Sequence, residues 1–182
     1  MTTVLHPWHG VYYGEQSPRV VSAIIEISQG SRSKYEIDKP TGLLRLDRVI
    51  YSSFHYPTNY GFIPQTYGDD KDPLDILVIS SQAIRPLCIV DAKVIGVMQM
   101  IDGGDADDKI IAVAANDPGV NHWNNIEELP KHFFNELRHF FEEYKTLENK
   151  TVSVEEFGDK AMAMHIIEDA IKAYHEKFII TG

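Results

Sequence analysis

The spacing of apolar residues changes once along this chain, and that change limits the architectures open to it. Between residues 20 and 115 apolar residues come in short branched runs cut by turn residues; beyond Ile126 they recur every three or four positions. Val20–Ile27 is rich in branched side chains and stops at Gln29-Gly30-Ser31, a turn signal. Tyr35-Glu36-Ile37-Asp38 alternates, so Glu36 and Asp38 share one face of a strand. Leu44–Ile50 follows the hairpin-like Pro40-Thr41-Gly42, and further strands are expected at 76–80, 88–100 and 110–115. Short strands without interleaved long helices predict an antiparallel barrel or sandwich.

In the last third, Ile126, Leu129, Phe133, Phe134, Leu137, Phe140, Phe141 and Tyr144 fall on one helix face. Asn124 or Asn125 can cap that helix, with Pro130 tolerated only near its first turn. A second helix from about Asp159 to Lys177 turns Ala163, Ile166, Ile167, Ala170, Ile171 and Tyr174 inward. No repeat or linker interrupts the pattern. It predicts one domain over 1–182, mainly β, with helices packed on a β-barrel.

A chain of 182 residues can bury roughly 70% of its unfolded surface. Twenty-seven acidic against 17 basic residues give a net charge of −10, which argues against a duplex nucleic-acid partner. Cys88 is the only cysteine, so no intrachain disulfide forms; within Leu87-Cys88-Ile89-Val90 it reads as a small buried hydrophobe, with a reactive thiol as the alternative. Met1–Trp8 lacks a basic stretch followed by an apolar one, and no apolar segment nears the roughly 18 residues of a membrane span. A cytoplasmic protein without a membrane partner is expected.

Asp70-Lys71-Asp72-Pro73-Leu74-Asp75 sets three carboxylates in one short loop directly ahead of the apolar run Ile76–Ile79. Such a loop is either a solvated turn or a cation site, since crowded carboxylates resist ionising together unless cations join them. It is not an EF-hand, because the glycine and the distal glutamate are misplaced, and with no Cys or His inside it a structural zinc site is disfavoured. A second cluster, Asp102-Gly103-Gly104-Asp105-Ala106-Asp107-Asp108-Lys109, is either an acidic hairpin tip or the other half of the same site. Four carboxylates can hold two ions about 3.5–4 Å apart, as two-metal hydrolytic centres do. Lys34, Arg48 and Lys109 read singly as surface cations or as phosphate ligands; the aromatic stretch Phe54–Pro64 reads as core or as an anion contact through a tyrosine hydroxyl.

Together these segments resemble the family I soluble inorganic pyrophosphatases. The similarity runs through Lys34–Lys39, Asp47-Arg48, Tyr56–Pro64, Asp70–Asp75, Asp102 to Lys109 and Phe140–Lys145, with His6-Pro7-Trp8-His9 matching an N-terminal segment of relatives. The resemblance implies a five-stranded OB-like barrel with flanking helices and hydrolysis of inorganic pyrophosphate with Mg2+. It assigns Asp70, Asp75 and Asp107 to one metal, with Asp75 reaching a second. Asp102 and Asp107 would hold a further ion and Glu36 could help with another. Asp72 matches the proton acceptor for the attacking water. Lys34, Arg48, Tyr60, Lys109, Tyr144 and Lys145 match the phosphate-binding set, with Glu26 and Tyr56 supporting. It also implies a homo-oligomer, a hexamer favoured over a dimer.

Three positions depart from the family pattern. Gly103 stands where Glu or Gln is common, Lys71 where Gly or Asn is common, and Leu87 where Gly is usual. The rival readings are an OB-fold module stacking single-stranded nucleic acid on the 54–62 aromatics, a divalent-cation buffer, and a nucleotide-directed phosphohydrolase.

Overall fold

The computed structural model describes residues 5–179, so Met1–Val4 of the N-terminal stretch read above lie outside it. After a single-turn helix α1 (Pro7–Gly10) come β1 (Val20–Ile27), β2 (Ser33–Ile37), β3 (Leu44–Val49), β4 (Asn59–Phe62) and β5 (Asp75–Ile79). The long β6 (Ile89–Asp102) turns through β7 (Asp105–Ala106) into β8 (Lys109–Ala114), and α2 (Lys131–Glu143), β9 (Val152–Gly158) and α3 (Lys160–Phe178) follow. Strands β1, β4, β5, β8 and β6 pair in that order and β6 pairs back onto β1, closing a ring of five. β9 extends β6, and β2 and β3 form a separate hairpin.

The ring's strands are buried on both faces. Leu77, Ile79, Ile111 and Val113 join Leu137, Phe140 and Phe141 of α2 in one core. Their neighbours Ile76, Val78, Ile110 and Ala112 join Ala163, Ile167 and Ala170 of α3 in another. Successive side chains point to opposite faces of a strand, and a strand covered on both sides reads as an unbroken apolar run, as Ile76–Ile79 does. Trp8 of α1 is buried beside Tyr67, Tyr174 and Phe178, its indole donating to the Thr66 carbonyl at 2.9 Å.

The structure corrects several expectations. The sheet is not wholly antiparallel: β5 and β8 run parallel, because β6 and β7 lie between them in sequence and return the chain to β5's direction. The helix expected from Ile126 is broken. Ile126–Glu128 is a 3-10 turn whose Asn125 amide donates to the Glu128 carboxylate at 3.0 Å, and the α-helix starts after Pro130. The second helix starts close to where it was expected, with Asp159 as its N-cap, accepting from the Met162 amide at 2.9 Å. Cys88 is exposed, not buried: it stands just before β6, in the turn that leads into the strand, and its carbonyl accepts from the Ile25 amide. α1, β4, β7 and β9 were not anticipated. β4 fits against β1 only because residue 61 is glycine, since a Cβ there would stand 1.9 Å from the Ile24 carbonyl oxygen.

Candidate active site

The parallel pairing unites the two acidic segments. Asp75 opens β5, Lys109 opens β8, and the two are register partners. Lys109, only 3% exposed, donates to Asp75 at 2.6 Å and to Asp107 at 2.8 Å. Its ammonium also lies 5.5 Å from the centre of the Tyr60 ring and 5.8 Å from that of Phe141. Tyr60, on β4, donates to Asp75 at 2.5 Å. Burial works against the Lys109 charge, but the two carboxylates prevail and hold its pKa well above the ordinary lysine value. Burial raises Asp75, and the charge of Asp107 adds to the rise against the pull of Lys109.

An open cleft of about 470 Å³ lies over this cluster. Glu26, Lys34, Glu36, Tyr60, Asp70, Asp72, Asp75, Asp102, Asp107, Lys109, Tyr144 and Lys145 all line it. The 70–75 and 102–109 regions therefore share one cavity. Partial burial and then the charges of Asp75, Asp72 and Asp107 push Asp70 up to about 6. Glu26, buried on β1, accepts from the Ile37 amide at 2.7 Å; burial and then Asp75 push it up to about 8, so it is mostly neutral at pH 7. Asp102, at the end of β6, pairs with Lys145. Asp72 pairs with Lys39.

Lys34 and Glu36, on β2, pair with each other at 3.3 Å, and Lys34 also reaches Asp47 at 3.0 Å. Burial disfavours the Lys34 charge, but Asp47 and Glu36 raise its pKa overall. Tyr144, the C-cap of α2, stacks on Phe140 with ring centres 4.8 Å apart, and burial raises its hydroxyl to about 12. Arg48 and Tyr56 do not line the cleft. The Arg48 guanidinium pairs with Asp47 and with Glu148, its Nε donating to Glu148 at 2.9 Å. Its Nη2, 2.9 Å from the other Glu148 oxygen, is buried without a well-aligned hydrogen bond. Tyr56 packs behind Tyr60 and Phe140, at 5.6 and 4.9 Å between ring centres.

Sequence reasoning did not single out Trp8, Asp38 or Arg45, which line the cleft, nor Lys39 as the partner of Asp72. Lys39 and Asp38 belong to the Lys34–Lys39 motif, so a signal was present; Glu148 carries none. The donor set suits a hard divalent ion: several carboxylates, no Cys or His in the lining, and two aspartates whose pKa is raised first by burial and then by neighbouring carboxylates. It is not assembled around one point, since among the described residues no three His, Cys, Asp or Glu side chains stand together in metal-holding geometry. Lysines draw the carboxylates instead.

Comparison with known proteins agrees. Residues 23–175 match the family model described as inorganic pyrophosphatase. A soluble inorganic pyrophosphatase of Solanum tuberosum is 48% identical over 94% of this chain and 81% of its own length. One of Chlamydomonas reinhardtii is 46% identical over 97% of this chain and 92% of its own. Among solved structures, the inorganic pyrophosphatase from Thermus thermophilus superposes with a TM-score of 0.90 at 37% identity, covering 93% of this chain and 98% of that one. With the closed five-strand ring and the carboxylate cleft, these similarities show that the chain belongs to the inorganic pyrophosphatases, enzymes of the inorganic diphosphatase class.

Proposed function

We propose that this chain hydrolyses inorganic pyrophosphate to two orthophosphates with Mg2+ as the activating ion and Asp72 as proton acceptor. The observation that carries the reading is the clasp of Asp75 and Asp107 on Lys109, in a cleft that also holds Asp70, Asp72 and Asp102. Asp70, Asp75, Asp102 and Asp107, with help from Glu36, would hold the cations. When bound, those cations would supply Lewis-acid polarisation and neutralise carboxylate charge.

The side chains would do the rest. Lys34, Lys109 and Lys145, with the hydroxyls of Tyr60 and Tyr144, would bind the phosphoryl oxygens and fix the substrate's orientation, where positioning and electrostatics carry most of phosphoryl transfer. Arg48 would join them by turning from Glu148. Asp72 takes a proton from the attacking water as its oxygen bonds to one phosphorus. The bridging P–O bond breaks, and its electron pair leaves on the second phosphate.

The acidic balance fits a small anion neutralised locally rather than a nucleic-acid partner. The homo-oligomer, hexamer favoured, and the cytoplasm belong to the same reading. The lone exposed thiol of Cys88 fits a reducing compartment, and among the described residues no helix is long and apolar enough to cross a membrane.

The test is phosphate release from pyrophosphate, with and without Mg2+, for the wild type and Asp72→Asn. The expected result is Mg2+-dependent turnover that falls about 100-fold or more in the variant, within the usual range for acid–base groups, with Mg2+ affinity nearly intact. Unchanged turnover, or equal losses of turnover and Mg2+ affinity, would remove Asp72 from the proton-accepting role.

A further inference from the structure

We propose that Lys39 is a positioning residue for Asp72, holding its carboxylate toward the cleft; the inference rests on Asp72 being the proton acceptor. Asp72 sits in an acidic loop with an exposed tip, and its own loop holds only its backbone. Its amide donates to the Asp70 carboxylate at 3.1 Å, and its carbonyl accepts from the Gly68 amide at 2.8 Å. The carboxylate of Asp72 pairs with the Lys39 ammonium, which also donates to the Lys71 carbonyl at 3.4 Å. Lys71 stands at φ 68°, in the left-handed region that a lysine occupies at a cost. One ammonium thus ties down both the strained residue and the carboxylate after it.

Lys39 is itself braced. It lies in the turn after β2, where the Asp38 carbonyl accepts from Thr41 at 3.1 Å and Gly42 at 2.7 Å. The Asp38 carboxylate takes hydrogen bonds from the Arg45 guanidinium at 2.7 and 3.0 Å. On the other side α1 clamps the turn. The Trp8 amide donates to Nδ1 of His6 at 3.2 Å, which leaves Nε2 to donate to the Lys39 carbonyl at 2.8 Å. Gly42 lies so close to α1 that a Cβ would stand 2.8 Å from Pro7. The lysine therefore reaches across from a rigid turn to the tip of the acidic loop.

Both partners of the pair are about half exposed, and such a pair adds little to stability. Its worth is geometric, because a reacting group displaced by about 1 Å can cost 100-fold in rate. The experiment compares Lys39→Met and Lys39→Arg with the wild type at saturating Mg2+, reading kcat and KM for inorganic pyrophosphate and amide hydrogen exchange across residues 68–74. Lys39→Met should keep its melting temperature and a KM within about twofold, lose about 10- to 100-fold in kcat, and exchange faster in that loop. Lys39→Arg should restore most of kcat and the slower exchange.

A kcat for Lys39→Met within about twofold of wild type, or a loss that arginine does not restore, would overturn the proposal. The two levels separate cleanly. If Asp72→Asn keeps full turnover, the acceptor assignment fails; if Asp72→Asn is impaired and Lys39→Met is not, only the positioning role fails.

Discussion

Lys109→Met tests the reasoning about this site most directly, because it removes one charge and leaves the two beneath it. The lysine is 3% exposed, its carboxylate partners about a fifth exposed, and the contacts are 2.6 and 2.8 Å. Removing one partner of a buried pair costs about 3–5 kcal/mol, and the residual hydration of Asp75 and Asp107 puts this case near about 3. For a domain of this size about 1 kcal/mol moves the melting temperature by roughly 2–4 °C, so the variant should melt about 6–12 °C lower in EDTA near pH 8.

Two modulations follow from electrostatics. With the lysine gone, burial and the charge of Asp107 act on Asp75 without the opposing pull of Lys109, so its folded-state pKa stands further above its unfolded value. A raised carboxyl contributes stability below the unfolded pKa and loses it as pH rises through the folded one. The deficit should therefore shrink as the pH is lowered to about 5. Mg2+ should raise the variant's melting temperature more than the wild type's, since an ion binding only the folded state at 100 times its Kd adds about 2.7 kcal/mol. Circular-dichroism melts in EDTA and in Mg2+ at both pH values read all three effects. A loss under about 1 kcal/mol, or one independent of pH, would show that the two carboxylates do not depend on Lys109.

Glu26→Gln addresses pH. The Glu26 carboxyl rises from 4.5 to about 8, so the wild type should lose stability as pH climbs through that window, by up to a few kcal/mol; the variant, which keeps an oxygen for the Ile37 amide, should show a flatter profile in urea titrations. Identical slopes would mean that Glu26 ionises normally. Asn59→Leu addresses the scaffold: the fully buried Asn59 accepts from Gln29 and Ile84 at 3.0 and 2.8 Å and donates to Val78 and Gln82 at 3.3 and 3.1 Å. Each backbone group left unsatisfied costs about 1–3 kcal/mol, so a loss above about 3 kcal/mol is expected, and urea unfolding that finds less than about 1 would contradict it.

What could be read in the sequence were the features carried by one segment at a time. Branched runs gave β1, β5, β6 and β8 to within about two residues, and the three-and-four apolar spacing from Ala163 gave α3. β9 carried a usable signal, Val152 and Val154 buried with Ser153 exposed between them, but its acidic residues hid it. β4 carried none, because Asn59-Tyr60-Gly61-Phe62 is a strand only through its neighbours: the ladders to β1 and β5 make it one. Lys71 and Leu87 both adopt a positive φ, a conformation that glycine takes more readily and that the sequence around them did not announce. In the site, the acidic residues were legible and their partners were not. Which lysine meets which aspartate depends on the parallel register of β5 and β8 and on contacts such as Lys39 to Asp72, 33 residues apart.

Charge balance explains how an acidic cleft can receive a phosphate anion. Eight carboxylates line it, Glu26, Glu36, Asp38, Asp70, Asp72, Asp75, Asp102 and Asp107, against five cations, Lys34, Lys39, Arg45, Lys109 and Lys145. Protonated Glu26 narrows the surplus without removing it. A cleft in that state would repel pyrophosphate, while a divalent ion or two would reverse its sign and free lysines from their aspartates to meet phosphate. The lysines thus pair with the carboxylates in the protein alone, and on the proposed reading are the groups an incoming anion needs. A cleft with as many lysines as carboxylates would bind phosphate without cations. On the proposed function, the surplus of negative charge would therefore make substrate affinity conditional on cation loading.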